Sequence, residues 1–250
     1  NMIIADLHTH SLVTNHAYNT ITEMAKQGAS IGLAAMAITD HGPAMPDAPH
    51  PWYFSNLTKE LPFVMEGIPV LKGAEANILN EKGTLDFTQN ELSEFDWVIA
   101  SIHRPLLPQK LTIREANYLW SAIAENPWVD MIGHSEMPAY EYDYLSLTKL
   151  FAEKHKVVEL NANSCTWRPE GKENMRRLAL ACKENGTPVA VNSDAHSIYR
   201  LGQTRDIFTM LEELDFPMDL VINTSKELLL KELCCHNHGV AEKLGGVWHE

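Results

Sequence analysis

Positive charge is scarce in this chain. Twenty lysines and arginines face 33 aspartates and glutamates, for a net charge of −13 with histidine neutral. Such a surface repels phosphate backbones and anionic headgroups, so broad binding to nucleic acid or membrane is not expected. Long apolar runs are missing too. No segment approaches the roughly 20 apolar residues of a membrane span. The short apolar start, Met2–Ala5, lacks the basic flank and the length of a signal peptide. Cysteine is sparse: Cys165, Cys182, Cys234 and Cys235 show no disulfide-framework spacing, and a reducing cytoplasm fits them best. No Gly/Ser linker, low-complexity block or charge run divides the 250 residues. They suit one domain over residues 2–250 with one large core. Asn1, ahead of Met2, reads as the remnant of an expression tag.

What the chain does have is a recurring apolar run. The runs are Met2–Asp6, Ala35–Thr39, Ile68–Leu71, Trp97–Ser101, Val129–Ile132, Val157–Leu160 and Pro188–Val191. Dense runs of this kind predict strands buried on both faces, as in a parallel sheet. Helical patterns lie between them. Thr20-x-x-Glu23, Thr88-x-x-Glu91 and Thr112-x-x-Glu115 have capping-box spacing. Gly32 and Gly186 stand where a helix should end. Residues 170–185 carry apolar positions at helical spacing, and a last helix is expected after Thr224, with Glu227 completing its cap. Strand–helix alternation repeated about seven times predicts a βα barrel or a wound open sheet.

Nine potential metal ligands follow these runs closely: His8, His10, His16, His41, Glu75, His103, His134, Asp194 and His196. His8 and His10 alternate on one strand and so face one way. In an open sheet, a site gathers at one switch point. Here nearly every predicted strand delivers a ligand at its exit, which favours a closed ring. A lone histidine is ordinarily a core or surface residue with a satisfied hydrogen bond. Seven of the twelve histidines belong to this set, and six of the seven close or immediately follow an apolar run, which is a different matter. Glu75 offers two oxygens and could bridge two cations. Asp40 points the other way from His41 and is expected to accept from an imidazole N–H rather than to ligate.

These motifs, Asp6-x-His8-x-His10, Thr39-Asp40-His41, Glu75, His103, His134 and Ser193-Asp194-Ala195-His196, resemble those of the PHP (polymerase and histidinol phosphatase) superfamily. Length, spacing and His16 are most similar to its small YcdX-type phosphatases. The resemblance covers Ile3 to about Thr224. It implies a distorted TIM-like (β/α)7 barrel with a trinuclear site, usually described with zinc. One metal would take His8, His10, Glu75 and Asp194, a second Glu75, His103 and His134, and the third His16, His41 and His196.

The donor chemistry agrees with three divalent cations. Imidazole-rich sites suit zinc, with manganese or iron as alternatives, better than calcium or magnesium. A bound cation brings the pKa of its water toward roughly 7, so hydroxide becomes available for phosphoester hydrolysis. The expected activity is therefore a metal-dependent phosphatase acting on a small phosphorylated metabolite through metal-bound hydroxide. Arg104 and Arg168 are candidate phosphate clamps, and Arg200 is similar, although a surface salt bridge is the ordinary role of an arginine. Cys234-Cys235-His236-Asn237-His238 looks like a metal tract but fits the end of a helix better. Trp52 and Trp167 fall in expected rim loops.

Three other readings compete. An amidohydrolase-type hydrolase also opens with His-x-His, but it bridges its metals with a carboxylated lysine, and only Lys72 is near such a place. A nuclease-type module would want a basic channel. A non-catalytic metal-binding module would close every coordination position with protein ligands.

Overall fold

The computed structural model describes residues 2–249; the expectation for Asn1 lies outside the described residues. Seven parallel strands follow one another around a nearly closed barrel: β1 (Ala5–Asp6), β2 (Ala35–Ile38), β4 (Ile68–Asn77), β5 (Trp97–Ser101), β6 (Met131–Ile132), β7 (Val157–Asn161) and β8 (Val189–Asn192). Each matches one of the apolar runs. A two-residue strand, β3 (Val64–Met65), was not expected; it folds antiparallel onto β4. The seam between β1 and β8 lacks a regular ladder. Asn223 fills it, donating to the carbonyls of Ala5 and Val191 and accepting from the Val191 N–H.

The helices form the outer layer. All three Thr-x-x-Glu segments make reciprocal capping boxes, at α1 (Ile21–Ser30), α3 (Gln89–Ser93) and α4 (Ile113–Ala124), with α2 (Pro51–Glu60) lying after a proline-rich loop that carries Pro43, Pro46 and Pro49. Then come α5 (Tyr144–Glu153), α6 (Ser164–Trp167), α7 (Lys172–Asn185) and α8 (Arg205–Glu213). Gly186 ends α7 at φ 64°, a left-handed position that suits glycine.

The C-terminal region departs from expectation. The helix expected after Thr224, α9 (Lys226–Leu233), is capped by Ser225, whose hydroxyl accepts from Leu228. Thr224 and Glu227 are therefore each out of place for a cap. Nor is α9 the last helix: α10 (Val240–Trp248) follows, and it escapes notice in sequence because Gly245 and Gly246 depress its helical signal.

The barrel interior is narrow. Ala5, Ala35, Ala37 and Ala190 leave room for Trp97, which is fully buried and donates its indole N–H to the Leu7 carbonyl. Gly73 must be glycine, since a Cβ there would collide with the Trp97 carbonyl. Leu229, Leu233, Val240 and Leu244 from α9 and α10 close the floor. A separate, larger apolar cluster lies between strands and surrounding helices. With the floor plugged, the C-terminal ends of the strands are left as the open mouth. No helix among the described residues is long and apolar enough to cross a membrane.

Candidate metal centre

All nine sequence-selected ligands come together at that mouth. His8 and His10 leave β1 on the same side, while Thr9 between them turns back to the Ala37 carbonyl. His41 pairs backbone to backbone with Glu75 across the β2–β4 edge. His134 and Asp194 sit at φ 22° and 53°. Neither is glycine, so the backbone is held in a costly left-handed conformation where it delivers a ligand.

The distances between ligand atoms test whether a cation fits. A tetrahedral ion with bonds of roughly 2.0–2.1 Å needs its donors about 3.3 Å apart. His8 Nε2 lies 3.3 Å from Glu75 Oε2 and 3.4 Å from Asp194 Oδ1. His10 Nε2 lies 3.4 and 3.0 Å from the same two atoms. Four of the six edges of a zinc-sized tetrahedron are thus present. The other oxygen of Glu75 faces elsewhere: Oε1 is 3.3 Å from His103 Nε2 and 3.0 Å from His134 Nε2. The carboxylate is split between two sets of imidazoles, as a bridging ligand must be. Three histidines remain. Their donor atoms fall into two overlapping groups, His10–His41–His196 and His16–His41–Asp47, rather than one compact triad.

The buried donors are not satisfied by one another. His8 Nε2, Glu75 Oε2, His41 Nδ1 and His196 Nε2 lie inside the protein with no hydrogen-bond partner. Unpaired buried polar atoms are costly, and two of them, His8 Nε2 and Glu75 Oε2, lie 3.3 Å apart at a spacing that fits a cation. The electrostatics agree. Burial presses His8 down, yet Glu159, Asp194 and Glu75 hold it well above the usual histidine value. Burial would raise Glu75, but His8, His103 and His41 hold it well below the carboxylate range. Burial lowers His103 to about 4 and depresses His10 and His196 as well. His10, His103 and His196 are therefore held as neutral imidazoles against ionised Glu75 and Asp194, the protonation state that binds metal. The carboxylates around His8 and His41 raise those two and favour positive charge at that point, which a cation would supply.

Three groups behind the ligands were missed in the sequence. Glu159 accepts from His8 Nδ1 at 2.6 Å and from the His134 backbone N–H at 3.0 Å. Asn77 Oδ1 accepts from His103 Nδ1 at 2.7 Å. Asp47 meets His16 Nδ1 at 2.5 Å. Such partners fix which ring nitrogen points at a cation. The available signal for Glu159 was a carboxylate interrupting an apolar run; Asp47 and Asn77 carry no comparable mark.

Two expectations need correction. Asp40 receives no imidazole. It is surrounded by the Ser11 N–H and hydroxyl, the Thr14 hydroxyl and the Tyr53 phenol, and so braces the first βα loop. The groups on its side of the chain are hydroxyls and a backbone N–H, with no imidazole among them. Arg104 is exposed, pairs with Glu170 at 3.2 Å and does not line the cavity. Arg168 does line the cavity, with Nη2 3.4 Å from Asp194 Oδ2. Lys72 turns away from the mouth to donate to the Pro62 carbonyl. In the Cys234–His238 tract, His236 and His238 bind Asp130 at the floor, so the helix-end, structural reading of that tract holds.

Comparison with known proteins places this architecture. The PHP domain family matches residues 6–163. A protein of Acetivibrio thermocellus named "Probable phosphatase" is 38% identical over 224 residues, covering 90% of this chain and 92% of the relative. One of the same name from Shewanella pealeana is 37% identical and covers 98% of each. Among solved structures, the histidinol phosphate phosphatase of Lactococcus lactis, in complex with zinc, L-histidinol and phosphate, superposes with a TM-score of 0.62. It shares 18% identity and covers 87% of this chain and 95% of its own. A chain from an archaeal ribonuclease P bound to mature tRNA reaches 0.55 at 12% identity and covers 91% of each. At those identities the likeness is one of fold alone, and the two bodies of work done on that fold differ. The family match and the closely covering relatives together decide the matter: the chain belongs to the PHP domain family.

Proposed function

We propose that this PHP-family phosphatase is a metal-dependent phosphoesterase that hydrolyses a small phosphomonoester at a trinuclear centre in the cytoplasm. The observation that carries the reading is Glu75, whose two oxygens face separate sets of imidazoles at metal-ligand spacing. One cation would take His8, His10, Glu75 and Asp194. A second would take Glu75, His103 and His134. The third would take His16, His41 and His196, with Asp47 at its edge. Zinc suits the donor set, with manganese or iron as alternatives. The zinc and phosphate held by the Lactococcus enzyme support the same choice.

Divalent cations bound there supply activated water near neutral pH and positive charge for the phosphoryl oxygens. The chain's own residues do the rest. Arg168 presents a planar guanidinium to the cavity, a geometry that suits two phosphoryl oxygens at once. Glu159 and Asn77 hold His8 and His103 in the tautomer that leaves Nε2 free. The cavity, about 570 Å³, falls in the range of small-molecule sites. Its openness beside the ligands favours catalysis over a purely structural cluster. The position of Lys72 gives the amidohydrolase alternative no bridging lysine.

The test joins metal analysis to a panel of phosphorylated metabolites. Protein purified without chelator should carry about three equivalents of transition metal and lose hydrolysis on chelation. A reproducible value near one, with no gain on adding zinc or manganese, would remove the trinuclear claim. Full activity after exhaustive chelation would remove the mechanism.

A further inference from the structure

Two large aromatic rings stand unpacked at the cavity mouth. Tyr18 is 75% and Trp167 71% exposed, and both line the same cavity as His41, His103 and His134. Trp97 and Trp120 are buried and Tyr53 donates to Asp40, whereas Trp52, Tyr118 and Tyr199 are exposed too but do not line the cavity. Among the described residues, neither Tyr18 nor Trp167 makes a ring contact, and neither its hydroxyl nor its indole N–H has a partner. A single exposed aromatic is ordinary. Two on the rim of one ligand cavity form a stacking platform.

Their backbones are tethered although their rings are free. The Tyr18 N–H donates to the carbonyl of His196 at 2.9 Å, and the Trp167 N–H to that of Asn163. Arg200 Nη2 reaches the Thr166 hydroxyl at 3.1 Å and so ties the loop after β8 to α6. The rings therefore project from the loop after β1 and from the end of α6 after β7, the two strands that flank β8. Arg200 has no ion-pair partner among the described residues, and its planar group can also lie against a ring. Asn163 and Ser197 add neutral hydrogen-bonding groups. The only carboxylate lining the cavity, Asp194, is committed to His10. A sugar-binding mouth would add free carboxylates for the hydroxyls to such rings; the lining residues here add none.

We propose that Trp167 and Tyr18 form a specificity subsite for the leaving group, and that the substrate is a phosphomonoester whose alcohol carries a planar, uncharged ring. The proposal rests on the phosphoesterase reading for the position of the phosphate, deeper in the cavity at Arg168. Hydrolysis then splits the P–O bond, water supplies the oxygen and proton, and the ring-bearing alcohol departs past the two aromatics.

The experiment uses metal-loaded enzyme and two substrates matched in charge and leaving group, 2-phenylethyl phosphate and 2-cyclohexylethyl phosphate. The planar substrate should have the lower KM. Trp167→Ala should collapse that preference by about ten-fold, the worth of one stacked ring, and Tyr18→Ala by less. Trp167→Phe should keep most of it. Equal KM values in the wild type, equal losses on both substrates in Trp167→Ala, or lower KM for glucose 6-phosphate would overturn the subsite. Calorimetry with 2-phenylethylphosphonate, which cannot be hydrolysed, separates this outcome from failure of the phosphoesterase reading. If no phosphomonoester is turned over, that reading falls. Even then, weaker phosphonate binding by Trp167→Ala supports the ring subsite, and unchanged binding overturns it.

Discussion

Two groups of buried histidines and carboxylates lie at opposite ends of the barrel. At the mouth, His8, His10, His41, His103 and His134 surround Glu75. At the floor, His236 and His238 surround Asp130. His236 Nδ1 meets Asp130 Oδ1 at 2.7 Å and its Nε2 meets Glu232 at 2.9 Å. His238 Nε2 lies 2.9 Å from the other Asp130 oxygen and 3.0 Å from the Trp128 carbonyl. The residue types are the same, but the directions differ. Floor nitrogens, save His238 Nδ1, end on an acceptor, and no three donor atoms there converge among the described residues. Mouth nitrogens end on one another's neighbours and leave several atoms unpaired. Composition alone makes both look like metal sites; convergence with unmet valence distinguishes the one that is built for cations.

Opposite responses to substitution are the sharpest way to break this comparison. Glu75→Gln removes the charge shared by two cation sites, so kcat/KM should fall about 10³-fold with loss of metal. His16→Ala, touching one site only, should cost less. Single-turnover rates and metal content decide the matter, and equal or reversed losses would mean that Glu75 does not bridge. At the floor, Asp130→Asn should leave metal content intact and cost roughly 3 kcal/mol of stability, because it strands two buried imidazoliums. In a chain of this size that lowers Tm by roughly 6–12 °C. If it instead releases metal at unchanged Tm, the two clusters have been assigned the wrong way round.

The mouth was largely readable in sequence and the floor was not. Strand exits are local features: an apolar run followed by His or Glu declares both the element and its end. The cap errors at Thr224 and Glu227 are local too, a matter of one residue's phase. Partnerships over long separations are a different kind of information. His8 and Glu159 lie 151 residues apart, and His236 and Asp130 lie 106 apart. Nothing in either segment names the other. Arg104 and Arg168 were equal candidates for the same reason; only the fold decides that one pairs with Glu170 outside and the other lines the cavity. Asp40 failed for the same reason: its partners Ser11, Thr14 and Tyr53 lie 29, 26 and 13 residues away, and nothing in the sequence ties them to it.

A third difference is pH. Burial presses His236 down, but hydrogen bonds to Asp130 and Glu232 raise it to about 9. Its folded value exceeds the unfolded one, so its contribution is complete below about pH 6.5 and is lost as pH rises toward 9. Asp130 is lowered to about 2 against burial, chiefly by His238, so its contribution is present above about pH 4 and is lost below. Lys156, lowered by burial to about 8, faces the same group but sheds its proton earlier in the folded state than in the unfolded one, so above about pH 8 it works against this alkaline loss. Metal-loaded protein should therefore be less stable at pH 9 than at pH 6, by no more than about 3 kcal/mol from His236. Urea unfolding at both pH values measures it. His236→Gln should flatten the slope, and an unchanged slope would take the floor cluster out of the account.

The smallest effect probes the edge of the mouth, where the comparison is least clear-cut. His16 is the most exposed of the nine proposed ligands, with half its side chain in water. Its Nδ1 is held by Asp47, which also accepts at its backbone from the Asn15 N–H. The proline-rich loop after β2 thus clamps the loop after β1 twice, once at main chain and once at the imidazole. Removing the side-chain clamp alone leaves His16 free to rotate, and the entropy of fixing it must then be met by the cation. Asp47→Ala should lower metal content from about three equivalents toward two, with kcat/KM down about ten-fold, as is usual for groups that orient a ligand. The Glu75-centred pair of sites should keep its metal, because none of its donors touches Asp47. Added zinc should restore activity in Asp47→Ala but not in Glu75→Gln. If Asp47→Ala retains full metal and wild-type KM, His16 is oriented by its own loop, and the mouth ends at the six residues around Glu75 and Asp194.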